Sequence, residues 1–341
     1  MFLKEGKIER YLKDLKSVLN QKEIAIENFK KYPASTENKS LPDFSKLQAA
    51  DFRVGESWGG KDKSCWFKAA IKLPASWKEL QGNIYLEIIP GQSHPGGLSG
   101  AESLLYLNGR ALQGLDRNHR LVKLESNDLE AKNLEIAVKA FSGLGAEKQK
   151  FKRAALIFRD QNLAEFYRLA ETVKESIETM AAGDNLRQQL LNILNQALNL
   201  IDFRKTGSQK FLQTAAEAEQ YLKEKLAELK GKTNQPQITA VGHSHIDVAW
   251  LWRLLQTREK TARTFSTVLK LMDEYPEYTF LQSSPQLYKF IKEDYPEIYA
   301  KIKEKIKEGK WEVTGGMWVE ADCNLSSGES LVRQFLHGQR F

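Results

Sequence analysis

The chain has 341 residues, long for one domain, and its 41% hydrophobic and 28% charged residues fit a soluble globular protein of two or three units, which excludes disordered and fibrous classes. No apolar run approaches the ~20 residues of a membrane-spanning helix. The net charge of +7 is spread as lysines among glutamates, as in IKEDYPEIYAKIKEKIKEGK, which makes a solvated surface and not the basic block with interleaved aromatics of a nucleic-acid site; neither a membrane nor a nucleic acid is an expected partner.

Residues 1–45 read as a helix and a linker. MFLKEGKIERYLKDLKSVL mixes charged and apolar residues at helical spacing and lacks the apolar core and cleavage site of a signal peptide, so a cytoplasmic location is expected. The polar strip KYPASTENKSLPDFS, with two prolines, predicts an extended linker. Residues 46–160 change to short strands: SCWFKAAIKL, NIYLEII, ESLLYLNG, RLVKL, NLEIAVKAF and AALIFR. Leu134, Ile136 and Val138 alternate with charged or small residues, as in a half-buried strand. Asn108-Gly109 is a hairpin signal, because both turn residues must tolerate positive φ. These features predict a β-sandwich able to fold by itself. Trp58, Trp66 and Trp77 lie within it, as core residues or as platforms of a non-catalytic carbohydrate-binding module.

Residues 161–230 are helical in period and read as a spacer or packing layer, with Gly183 ending one helix and Asp184 capping the next. GKTNQPQ, residues 231–237, is the predicted boundary before the apolar segment ITAVGHSH. Residues 237–341 contain three strand-then-helix units, which imply a parallel sheet or barrel with its chemistry at the carboxyl ends of the strands. The fold class is therefore multidomain: a β-sandwich, a helical segment, then the start of an α/β barrel-like catalytic domain. The two cysteines, Cys65 and Cys323, are too far apart in sequence, and lack the CxxC spacing, to argue for a disulfide framework or a cysteine zinc site.

Two constellations in the last unit carry chemistry. In GHSHIDVAWLW, His243, His245 and Asp247 are spaced by two, so along an extended segment all three can share a face, and imidazole with carboxylate is a suitable ligand set for zinc. An Asp247 helix cap with histidines bonded to nearby backbone is the plainer alternative. Trp250 can offer a plane on which the C–H face of a sugar stacks, while Trp252 reads as packing. In WEVTGGMWVEADCN, a strand ends at Gly315-Gly316 and leads to Glu320 and Asp322, either of which could be a metal ligand, a general base or a nucleophile.

Together, TAVGHSHIDVAWLW at 239–252 and KWEVTGGMWVEADCNLSSGESLVRQFLHGQRF at 310–341 resemble the α-mannosidases of glycoside hydrolase family 38, in particular the cytosolic and bacterial type. The resemblance covers residues 237–341 closely and the β-rich and helical parts more loosely. It implies a retaining hydrolase of terminal α-D-mannosyl residues of oligosaccharides, working with one zinc ion. It implies that His245, Asp247 and Asp322 are zinc ligands, that Asp322 is also the catalytic nucleophile, and that Trp250 stacks on mannose. His243 is then a support for a ligand. Val248-Ala249 stands where Golgi and lysosomal members carry proline and glycine. The family's fourth ligand, a histidine, and its general acid, an aspartate, are expected beyond Phe341, so residues 1–341 alone are expected to be inactive and the longer protein to form a homo-oligomer. A metal-dependent amidohydrolase also fits His243-x-His245 but needs further histidines, and only His337 follows.

Overall fold

The computed structural model describes residues 2–34, 40–78, 80, 82–92, 100–131, 133–229 and 238–341; the middle of the predicted linker, 35–39, and the predicted boundary at 231–237 lie outside them. The chain opens with α1 (Phe2–Ser17), then β1 (Lys22–Ala25), β2 (Asn28–Pro33), β3 (Ala50–Arg53), β4 (Ser57–Gly59), β5 (Ser64–Lys72), the short α2 (Ala75–Lys78), β6 (Gly82–Ile89), β7 (Glu102–Leu107), β8 (Arg110–Leu115), β9 (Leu121–Lys123), the short α3 (Ser126–Leu129), β10 (Asn133–Phe141), β11 (Lys148–Lys150) and β12 (Arg153–Asp160). The strands build two antiparallel sheets, β1-β12-β6-β9 and β3-β2-β5-β10-β7-β8, with β11-β4 as a separate ribbon. β1 and β2 pair inside a region whose sequence predicted only helix and linker, because backbone pairing to β12 and β5 outweighs their polar side chains.

Period-two alternation sends side chains to both faces of the six-stranded sheet. Phe67, Leu105, Ile136 and Val138 point into the sandwich with Leu86 and Leu156 of the opposite sheet. Their neighbours Trp66, Leu104, Tyr106 and Ala137 point the other way into a second core. The β7–β8 hairpin turns through Asn108 (φ 50°) and Gly109 (φ 83°), the left-handed pair that the dipeptide predicts. Trp58, Trp66 and Trp77 are 2%, 0% and 6% exposed, which removes them as sugar platforms.

Next come α4 (Gln161–Thr179), α5 (Asn185–Leu200) and α6 (Gln209–Leu229), packed with α1 around Leu15, Phe166, Leu194, Phe211 and Leu222. Asp184 caps α5 as expected, its carboxylate accepting from the Leu186 amide at 2.7 Å. α4 already stops at Thr179, however, so Gly183 lies in the following turn.

The last unit runs β13 (Gly242–His243), α7 (Leu254–Glu274), β14 (Phe280–Gln282), α8 (Pro285–Asp294), α9 (Pro296–Lys307), β15 (Trp311–Val313) and α10 (Gly328–Arg340). β13, β14 and β15 form a parallel sheet, the predicted alternation, and among the described residues it does not close into a barrel. Only Gly242 and His243 of the ITAVGHSH segment are strand, and Ile238 and Val241 are exposed.

α7 joins this unit to the sandwich. Ala262, Phe265, Leu269 and Met272 share one core with Trp66, Leu104 and Tyr106, so the outer face of the six-stranded sheet is covered as well as its inner face. Buried and half-buried charges of opposite sign meet across the seam. Glu102 on β7 meets Lys260 at 2.9 Å and Arg263 at 2.5 Å, and Lys139 on β10 meets Glu259 at 3.0 Å. Gly114 on β8 permits the approach, since a Cβ there would lie 2.8 Å from the Arg263 carbonyl oxygen.

Candidate functional site

β13 delivers His243 to the carboxyl end of the parallel sheet, and residues 244–253 continue as an irregular turn until α7 begins. A buried glutamine anchors this end. Gln282 at the tip of β14 donates from Nε2 to the Ser244 carbonyl at 2.8 Å and accepts at Oε1 from the Ser283 amide at 2.8 Å, so neighbouring strand ends are fixed by one side chain. The Gln282 carbonyl in turn accepts from Tyr288 at 3.0 Å, and Tyr288 accepts from the Trp311 indole at 2.8 Å.

On this base His245 Nε2 lies 3.2 Å from Asp247 Oδ1, and His245 Nδ1 lies 3.1 Å from Glu320 Oε2. The two sequence constellations therefore meet at one imidazole. The carboxylate that reaches it from the second constellation is Glu320. Asp322, two residues on, is exposed and closes its own turn: Oδ1 accepts from the Asn324 amide at 2.8 Å, and its carbonyl accepts from Leu325 and Ser326 at 3.2 and 3.1 Å. His243 lines the same small hollow of about 110 Å³ with His245, Asp247, Gln282, Ser284 and Glu320.

The donor types suit zinc, but as the side chains stand they do not converge on it. The two nitrogens of an imidazole diverge, so Asp247 and Glu320 sit on opposite sides of His245. Among the described residues no group of three histidine, cysteine, aspartate or glutamate side chains is placed to hold a metal ion.

Trp250 is 60% exposed and stands edge to face with Trp252, ring centroids 5.4 Å apart and planes at 81°. Trp252 is half-buried and carries Lys260 5.0 Å above its ring. A cavity of about 430 Å³ opens between the sandwich and α7, lined by Asp116, His119, His243, His245 and Trp252 among others, so it borders the same histidines.

Some of the site's supports are not identified by sequence reasoning. Gly338 on α10 lets the helix pass directly over the 315–318 segment, since a Cβ there would lie 1.9 Å from the Gly316 carbonyl oxygen. Gln334 then holds that segment, its carbonyl accepting from the Trp318 amide at 3.0 Å and its side chain from the Val319 amide at 2.8 Å. A glycine inside a helical pattern is the available cue, though it does not name its partner.

Comparison with known proteins agrees with this layout. Residues 24–152 match the α-mannosidase jelly roll domain, and residues 235–341 match the N-terminal domain of family 38 glycosyl hydrolases. Alpha-mannosidase G of Dictyostelium discoideum is 30% identical over 98% of the chain, a match that takes in 32% of its own length. Alpha-mannosidase 2C1 of Mus musculus is 32% identical over 85% of the chain and 28% of its length. Alpha-mannosidase of Saccharomyces cerevisiae is 28% identical over 89% of the chain and 29% of its length. The chain thus spans about a third of the length of these relatives.

Proposed function

From the premise that this chain carries an α-mannosidase jelly roll domain followed by the N-terminal domain of family 38 glycosyl hydrolases, we propose that it serves the hydrolysis of terminal α-D-mannosyl residues of oligosaccharides with retention of configuration. The observation that supports this best is the meeting of the two motifs at His245, from the ends of parallel strands, beside an exposed tryptophan.

In this reading the sugar lies on Trp250, whose exposed ring offers a plane for its C–H face. Asp322, unencumbered by burial, turns from its own loop to attack the anomeric carbon as nucleophile. The new bond joins the carboxylate oxygen to that carbon as the bond to the leaving oxygen breaks, and a water oxygen later bonds to the same carbon as the carboxylate leaves. The proton for the leaving oxygen comes from a general acid that we place outside residues 1–341, in keeping with relatives about three times as long. A zinc ion held by His245, Asp247 and Asp322, with a further histidine from the same outside region, belongs to the proposal. It would supply a positive charge that orients sugar hydroxyls. His243 supports a ligand from behind, the complete catalytic domain is barrel-like, and the protein works in the cytoplasm as a homo-oligomer.

The test is hydrolysis of an aryl α-mannoside by the longer protein that contains residues 1–341 and the proposed general acid, with and without Asp322→Asn. Loss of kcat by about 10³-fold or more is expected, together with a mannosyl adduct on Asp322 from a slow fluorinated substrate. Metal analysis of the same preparations should give one zinc per chain, lost in His245→Ala. An active Asp322→Asn enzyme, an inverted product, or zinc retained by His245→Ala would each overturn its part of the proposal.

A further inference from the structure

Thr257, on the first turn of α7, is fully buried, and its hydroxyl leaves its own helix to hold the turn that precedes it. Oγ1 accepts from the Ala249 amide at 3.0 Å and from the Trp252 indole N–H at 3.0 Å, and it donates to the Asp247 carbonyl at 3.3 Å. A hydroxyl has one proton and two lone pairs, so all of its hydrogen-bonding capacity is spent on residues 247–252.

The turn needs such a hold. Ala249 has φ 61°, in the left-handed region, where a Cβ is tolerated only if the surroundings fix it. Between Ala249 and Trp252, two of the three residues that Thr257 grips, lies Trp250, whose amide reaches the Trp252 carbonyl at 3.4 Å and whose ring meets the Trp252 ring edge to face. Trp250 itself makes no bond to Thr257 and is mostly exposed, so its orientation depends on the gripped neighbours.

We propose that Thr257 is a positioning residue: its one hydroxyl sets the left-handed turn at Ala249 and thereby aims both the Asp247 backbone and the Trp250 ring at the site. The functional half of this inference rests on Trp250 being the sugar platform; the positioning half does not.

Thr257→Val keeps the shape and removes the hydroxyl, and Thr257→Ser keeps the hydroxyl. Nitrogen–proton spectra resolve the tryptophan indoles, with Trp252 identified by its loss in Trp252→Phe. In Thr257→Val the Trp252 indole signal should shift upfield and the Ala249 amide should exchange about tenfold faster, while the Ala262 amide on the same helix keeps its rate. Thr257→Ser should match the wild type in both. Titration with methyl α-mannoside, followed at the Trp250 indole, should show affinity reduced about fivefold to tenfold in Thr257→Val and unchanged in Thr257→Ser. An unaltered indole and amide in Thr257→Val, or a Thr257→Ser that behaves like the valine variant, would refute the positioning role. If Thr257→Val fails to fold, Trp252→Phe keeps the hydroxyl and must leave Ala249 protected; rapid exchange there also refutes it. A wild-type Trp250 indole that ignores the mannoside would remove the sugar reading alone, with Thr257 then judged on the indole and amide.

Discussion

α7 works under two regimes along its length. Toward its middle and C-terminal end it carries Phe265, Leu269 and Met272 into a core shared with Trp66, Leu104 and Tyr106, with Glu102 paired to Lys260 and Arg263 across the seam. At its first turn it meets an open loop and governs it through the hydroxyl of Thr257. The seam is held by dry area and compensated charge, which are large and indifferent to direction; the site is held by a few directional bonds. Substitutions at the seam should therefore change stability, and those at the loop should change binding with little change in stability.

The largest effect that sharpens this contrast is expected at Trp66, fully buried on the sandwich side of the seam. Trp66→Ala should cost about 4 kcal/mol in denaturant unfolding. A single shifted transition fits a continuous core, whereas an unmoved midpoint, or separate transitions for sandwich and α/β unit already in the wild type, would break the comparison.

Glu102 should come next. Burial alone would raise its carboxyl, yet Arg263 and Lys260 outweigh burial and hold it below its ordinary 4.5. A carboxyl depressed in the folded state contributes stability that is complete above about pH 4.5 and disappears as pH falls through the lowered value. Glu102→Ala should cost about 2–3 kcal/mol at neutral pH by leaving the buried Arg263 and the half-buried Lys260 short of a partner, and unfolding curves from pH 6 to pH 3 should flatten relative to the wild type. An equally steep acid loss in the variant would assign the effect to other carboxylates.

The smallest stability effect is expected at Trp250. Trp250→Ala should move unfolding by less than about 0.5 kcal/mol while weakening α-mannoside binding about tenfold in a titration. A variant that loses stability and keeps binding would reverse the contrast drawn here.

The same two regimes explain what could be read in the sequence. β5, β6, β10 and β12 are legible because their alternation or apolar runs reflect how their side chains are buried. Asn108-Gly109 is legible because the turn's dihedrals exclude most other residues. β1 and β2 are not, because KEIA and NFKKYP expose most of their side chains and owe their state to partners far along the chain. At the site, His245 and Asp247 come together as their spacing allows, yet a spacing of two between Glu320 and Asp322 could not tell which carboxylate faces His245 and which closes a turn. Thr257 was invisible for a related reason: a threonine inside a helical stretch announces neither an outward bond nor the left-handed Ala249 that it restrains. The seam was hidden too, since Trp66, Leu104 and Tyr106 read equally well as the core of an independent sandwich.

The two-sided burial of the six-stranded sheet also has a history during synthesis. β5, β7 and β10 leave the ribosome well before α7, and at about 5–20 residues per second the gap lasts on the order of ten seconds. Through that interval Trp66, Leu104 and Tyr106 form a finished but uncovered apolar surface, waiting for a helix that has not yet been translated. Slow codons between residues 141 and 254 would lengthen the wait and increase the demand for chaperone cover, making the timing of translation, and not only the final packing, a determinant of yield.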